Sequence, residues 1–341
     1  MKRPLYTLLA VSAVLASCQG GRGTDKTIDI TEVRTERLEA DSLNAGDLLL
    51  APRKIFTVGK RLAVLEDKDA EGFIHFFDAE GKFLGKYGTV GNAGEDYILP
   101  NVFACGESLL AVSMDGSFCV VSYGEDGPAA GERQYPDDRK LCMGPNFMAI
   151  AKDSSLIIES SSSEDMITVI TKDGSAYGYS YYPIEPPDGI PEFLMKTVIS
   201  SCSYAVSFGG DTLFTAFKYY PAAGTATVKG EKTGNVWLQT DRHNNFKIRD
   251  GVPYYENPVL FYTYSSSSEK YFYALFQNGR KDRLEQEGTS EIHRFTRNGE
   301  LVDRFILDRR IYHFSVSSDD SRLFALGIDG DLMPEIYSYN I

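Results

Sequence analysis

The chain has no Cys-x-x-Cys pair, no His-Glu-x-x-His run, no Gly-x-Ser-x-Gly elbow and no Gly-x-Gly-x-x-Gly opening a helix. Those absences exclude the common zinc-knuckle, metalloprotease, α/β-hydrolase and dinucleotide-binding signatures. It is also short of basic charge: 35 Lys and Arg stand against 48 Asp and Glu, a net charge of −13. That balance argues against nucleic-acid binding as the main task and disfavours adhesion to anionic lipid through surface charge. Histidines number only four, and three of them (His75, His293 and His313) fall inside strand-like runs. Only His243, in Asp241-Arg242-His243-Asn244-Asn245, has a loop context. Long apolar runs are missing too: Leu5 to Leu15 is too short to span a bilayer, and no second stretch approaches that length. What the chain does have is 20 Phe, 21 Tyr and a hydrophobic fraction of 43%, enough for a large packed core.

Residues 1–17 read as a processing signal, with Lys2 and Arg3 ahead of the apolar stretch. The stretch ends in Leu15-Ala16-Ser17-Cys18, which resembles the lipobox of bacterial lipoproteins. The resemblance implies that Cys18 becomes a lipidated N-terminus; a plain secretory signal is the other reading. Gln19 stands where the inner-membrane retention signal has Asp, which implies the outer membrane, with the periplasmic or surface side left open. Residues 18–26 are then a flexible tether and 27–341 one soluble domain joined to the membrane by lipid.

The strongest internal signal is a repeat. Ile74-His75-Phe76-Phe77 leads through Asp78-Ala79-Glu80-Gly81 to Phe83-Leu84-Gly85-Lys86-Tyr87; Ile292-His293-Arg294-Phe295 leads through Thr296-Arg297-Asn298-Gly299 to Leu301-Val302-Asp303-Arg304-Phe305. Ahead of such hairpins, short apolar strands start near 62, 110, 156, 213, 271 and 323, each after a polar or Gly turn. Six units of about 52 residues, four short strands each, without helical periodicity, predict an all-β six-bladed propeller. Near-continuous apolar strands fit, because neighbouring blades cover both faces of each sheet. The chain stops at Ile341, before a fourth strand of its last unit, and Thr27 to Val33 alternates polar and apolar residues. An N-terminal strand over that segment is therefore expected to complete the last blade. Two side-by-side β-sandwiches are the alternative.

Ser317-Ser318-Asp319-Asp320-Ser321-Arg322-Leu323 resembles the turn and strand of TolB-type propellers. Gly88-Thr89-Val90-Gly91-Asn92-Ala93-Gly94-Glu95-Asp96-Tyr97-Ile98-Leu99-Pro100 resembles the blade-to-blade link of NHL-type six-bladed propellers, with Asp96 as an extra residue. Together with the lipobox, the resemblance implies a TolB-like or NHL-like propeller lipoprotein of a Gram-negative envelope.

Candidate chemistry is sparse. Asp67, Asp69, Glu71 and Gly72, with Asp78 at the twelfth position, match the spacing of a calcium loop. Asp replaces the usual Glu at the last position and strands flank it, so a solvated acidic turn is the preferred reading and no cofactor is expected. Cys105, Cys119, Cys142 and Cys202 are expected to be free thiols, although an envelope location would permit disulfides. In a propeller whose strands a to d run outward, the b–c and d–a connections share one face. The long irregular stretches 88–100, 182–200, 240–258 and 277–290 all fall there. That face therefore nominates Glu95, Asp96, Tyr97, Tyr182, Glu185, Asp188, Arg242, His243, Tyr254 and Tyr255 as a binding surface for a small molecule, glycan, peptide or envelope protein. A non-enzymatic binding or interaction module is the leading expectation. A hydrolase or lyase acting on carbohydrate or peptide, with acids around the central channel, is the alternative.

Overall fold

The computed structural model describes residues 25–341 apart from 44, 46–47, 95, 137–138, 160–162, 182–200, 245, 250–251, 285–289 and 330–332. Cys18 and the expected signal segment lie outside the described residues.

Six antiparallel meanders form a ring, and each is one blade. Blade 1 runs Pro52–Val58, Arg61–Glu66, Ile74–Phe77 and Phe83–Tyr87 from the axis outward. The inner strands of blades 2 to 6 are Asn101–Cys105, Phe147–Ile150, Cys202–Val206, Val259–Ser267 and Ile311–Val316. Their second strands are Ser108–Val112, Leu156–Glu159, Thr212–Phe217, Tyr271–Arg280 and Arg322–Ile328. The repeat positions read from the sequence thus fall on the second strand of every blade. Those strands are the most apolar because they are covered on both sheet faces: Leu62 to Glu66 and Leu109 to Val112 are buried without a break.

The core is divided accordingly. One apolar cluster fills each of the six blade-to-blade seams. Between blades 4 and 5, Phe214 stacks on Phe272 at 5.1 Å and meets Phe295 at 5.0 Å. Between blades 1 and 2, Phe73 meets Tyr97 edge-on at 4.9 Å. Aromatics suit a wedge that widens outward, since each buries about 150–250 Å² and tilts to fill it. Between the first two strands, tight turns recur with one left-handed residue at an equivalent place: Gly59, Gly106, Ser154, Gly210 and Asp320. A turn of this kind needs positive φ, which Gly adopts freely and Asp tolerates better than branched residues.

The N-terminal segment does close the last blade, but through Asp41–Leu43, which pairs antiparallel with Pro334–Asn340. The expected strand at Thr27 to Val33 is instead Asp25–Asp29, paired parallel with Lys232–Gln239 on the outer edge of blade 4. A 3₁₀ turn follows at Ile30–Glu32, capped by Asp29, whose carboxylate accepts from the Thr31 N–H at 2.8 Å. Arg34–Leu38 then pairs parallel with Leu301–Leu307 on blade 5. The segment is a strap over three blades. Ile28, Ile30 and Val33 pack against the seam of blades 4 and 5, which is what their alternation encodes.

Candidate functional site

The two faces of the ring differ in chemistry. On one, the a–b and c–d connections are short turns closed by their own polar side chains. Asp153, Asp173 and Asp319 each accept from the backbone N–H two residues on, at 3.0–3.1 Å. On the other face lie the long links. Apart from Tyr177 on an outer strand, every large hydrophobic side chain exposed among the described residues lies on this second face or at a strand end beside it. Leu48, Leu50, Tyr312, Ile328 and Met333 surround the junction of blades 6 and 1, while Ile98, Leu99, Met114, Tyr135 and Met143 belong to blade 2 and its flanking links. Leu99 is 71% exposed and has a φ of 43°. Its link is held in place by the Met114 N–H donating to the Ile98 carbonyl at 2.7 Å and the Ile98 N–H donating to Ser113 Oγ at 3.0 Å. Exposed apolar residues gathered on one face mark interaction surfaces more than scattered ones do.

The residues nominated from the sequence divide. Tyr97 is a correction: it is only 4% exposed and belongs to the seam of blades 1 and 2. Its hydroxyl lies 2.9 Å from Cys119 Sγ and 3.2 Å from the Tyr87 hydroxyl. The link dips inward there because its backbone bridges Val90 to Tyr97. Asp96 is half-buried, its carbonyl accepting from Arg133 at 2.9 Å, with the Arg133 guanidinium 4.5 Å over the Tyr97 ring. His243 and Tyr254 are exposed on the far side of the same face, and Arg242 is half-buried. Tyr255 turns inward, donating to the Tyr220 hydroxyl at 2.9 Å beside Tyr219. Glu95, Tyr182, Glu185 and Asp188 lie outside the described residues. The apolar residues were missed because the nominations looked for charge and aromatic rings, whereas the exposed set is mostly Leu, Ile and Met.

The acids of the calcium-like loop are directed to basic side chains or to their own turn. Asp67 pairs with Arg53 at 3.3 Å, Asp69 meets His75 Nε2 at 3.0 Å and Lys86 at 3.1 Å, and Glu71 reaches Lys86 at 3.5 Å. Asp78 accepts from the Lys82 N–H inside its own turn at 2.8 Å. Among the described residues, no group of three or more His, Cys, Asp or Glu side chains is placed to hold a metal ion. Cys105, Cys119, Cys142 and Cys202 are all free thiols. His75 and His293 occupy third strands of blades 1 and 5, each buried beside a carboxylate. Burial raises the Glu291 carboxyl, but His293 and Arg304, the latter at 2.7 Å, outweigh it and hold the group at about 2.

The inner strands enclose a channel of about 420 Å³. Phe56, Phe103, Phe147 and Tyr204 supply its apolar wall, and Thr57, Ser203, Ser265 and Ser315 supply hydroxyls. No Asp or Glu is among the described residues that line it. The acids that a hydrolase or lyase would need around the channel are therefore absent from that lining. Lys54 is in the wall, and burial, with Arg53 beside it, lowers its ammonium to about 7. Sequence reasoning passed over Lys54; the available signal was a lysine following Arg53 within an inner strand otherwise made of Pro, Ile, Phe, Thr and Val.

No protein-family model matches the chain. No curated protein matches it either. Among solved structures it is similar to a Bacteroides fragilis protein named as a presumed exported protein, with 11% identity and a TM-score of 0.56 over 93% of this chain and 99% of that one. A member of the DUF4221 family from Bacteroides vulgatus is similar at 10% identity and a TM-score of 0.54, over 90% of this chain and 97% of that one. At such identities the likeness is one of fold: the chain is a six-bladed β-propeller.

Proposed function

We propose that the protein is a lipid-anchored, non-enzymatic interaction module of the outer envelope, and that the face built from the b–c and d–a links docks an envelope protein. The observation that carries this reading is the one-sided distribution of exposed Leu, Ile, Met and Tyr side chains around blades 6, 1 and 2. Docking buries such side chains at about 25 cal/mol per Å² of apolar surface, while a rigid ring keeps the ordering cost small. Among the described residues the opposite face, with turns closed on themselves, has no comparable group of exposed large hydrophobic side chains. Anchoring rests on Cys18 and the lipobox resemblance, and the similarity to a protein named for export supports an envelope setting.

The test is a comparison of co-purified proteins from the native envelope. Replacing Leu99, Met114 and Ile328 together with Asp is expected to remove a partner that the unaltered chain retains. Replacing Lys60, Glu107 and Asp153 with Ala, in the opposite turns, is expected to keep it. Retention by the first variant and loss by the second reverses the assignment. Anchoring is checked separately, since Cys18→Ala is expected to release the folded body from membranes.

A further inference from the structure

Among the described residues that line the central channel, Lys54 and Lys152 are the charged ones. Lys54 donates from Nζ to Asn101 Oδ1 at 2.7 Å and to the Val102 carbonyl at 3.1 Å, and the Phe103 ring centre lies 4.5 Å away. All of these partners are uncharged. A cation taken out of water ordinarily meets an acid, because neutral acceptors return only part of its hydration energy. The charged and titratable groups that act on it are Arg53, Asp67 and His313. Asp67 is paired with Arg53 at 3.3 Å. Burial drives His313 well below its ordinary value, and its Nδ1 accepts the Ile55 N–H at 3.1 Å, so it is a neutral neighbour of Lys54. An ammonium has three N–H bonds, and two of these are used. Along the same wall, Thr263 has a buried hydroxyl oxygen without a hydrogen-bond partner. Buried polar atoms left in this state ordinarily have a ligand or water to meet.

We infer that the central channel binds a small organic carboxylate, whose charge pairs with Lys54 and whose apolar body lies against Phe56, Phe103 and Phe147. The volume of about 420 Å³ lies within the usual range for small-molecule sites. In a chain of net charge −13, a channel whose described lining holds no Asp or Glu repels an anion less than an acid-lined one would. A bound carboxylate restores the charge of Lys54, so binding takes up a proton near neutral pH and weakens as the solution becomes alkaline.

The inference is independent of the docking face and is tested with the full chain by calorimetric titration. The probes are 3-phenylpropionate and its neutral counterpart 3-phenylpropanol. At pH 6 the acid is expected to bind at least about ten-fold tighter than the alcohol, and at pH 9 that preference is expected to vanish. Lys54→Met is expected to lose the preference at pH 6 while still binding the alcohol. Lys54→Arg, whose guanidinium stays charged, is expected to keep the preference at pH 9, and this decides the matter should Lys54→Met fail to fold. Equal affinity for acid and alcohol at pH 6, a preference that survives in Lys54→Met, or no binding of either probe at millimolar concentration overturns the inference. Unchanged titrations in the Leu99, Met114 and Ile328 variant separate this site from the docking face.

Discussion

Blades 4, 5 and 6 each carry an added N-terminal strand, whereas blades 1, 2 and 3 end on their own fourth strands Phe83–Tyr87, Gly127–Ala130 and Ala176–Tyr179. The inner strands of blades 4 and 5 are joined by Ser203 to Ser265 at 2.7 Å and Ser267 to the Val206 carbonyl at 2.8 Å, and those of blades 6 and 1 by Thr57 to Ser315 and the Val316 carbonyl at 2.9–3.1 Å. Between blades 1 and 2 the corresponding link is Lys54, which also lines the channel. Most exposed apolar residues stand on blades 6, 1 and 2 and their links. One half of the ring is thus bound together by the chain terminus, and the other carries most of the surface assigned to binding. Edges without a strap are kept short and interrupted, as Lys86, Pro128 and Gly178 show, which discourages pairing with another chain.

Removing the strap is the severest way to break this contrast. Deleting Asp25 to Leu43 exposes the outer edges of blades 4 and 5 and leaves blade 6 with three strands. A loss of about 5 kcal/mol, or more than about 10 °C in Tm, is expected by thermal unfolding. Hydrogen exchange is expected to locate the lost protection in blades 4 to 6 rather than 1 to 3. An unchanged melting temperature contradicts the account of the strap.

The next effect belongs to the strapped half. Glu291, held at about 2 by His293 and Arg304 despite burial, contributes stability that is complete above its ordinary value of 4.5 and is lost as pH falls toward 2. Glu291→Gln is expected to cost about 3 kcal/mol at pH 7, because Arg304 and His293 lose their partner. The variant is expected to show a flatter stability profile between pH 4.5 and 2.

Lys54, in the other half, differs in that its charged form costs stability, although the slope with pH has the same sign. Its folded-state value near 7 lies below the ordinary 10.5, so the unfolded chain binds more protons and stability rises with pH across that window. Lys54→Met is expected to be more stable than the unaltered chain below pH 7 by about 1 kcal/mol, and to lose the alkaline rise. A destabilised variant with the rise intact contradicts the description of Lys54 as an uncompensated cation. Smallest of all is the thermal effect of Leu99→Asp with Met114→Asp and Ile328→Asp. Each exposed position is expected to contribute within about 0.5 kcal/mol.

The blade count and the second strands were legible because burial on both faces leaves an apolar run that a short turn punctuates, as in Arg61 to Glu66 and Arg322 to Ile328. The closing strand was placed some 14 residues too early. Asp41–Leu43 is only three residues long and has no pattern of its own, while the alternation at Thr27 to Val33 cannot distinguish a parallel edge strand from an antiparallel closing one. The binding face was assigned by loop length, yet its residues were not: Tyr97 looks like an exposed link residue until Phe73 and Cys119 enclose it. Lys54 acquires its character only when Asn101, Val102 and Phe103 arrive from the next blade, 47 and 48 positions away for the two hydrogen bonds.

The docking face is tested most directly by a photo-crosslinking amino acid placed at Leu99 and, separately, at Glu107 on the opposite face, each in the full chain in its own envelope. A discrete covalent adduct is expected from position 99 and none from position 107. Adducts from position 107 alone, or from neither position, would contradict the assignment of that face.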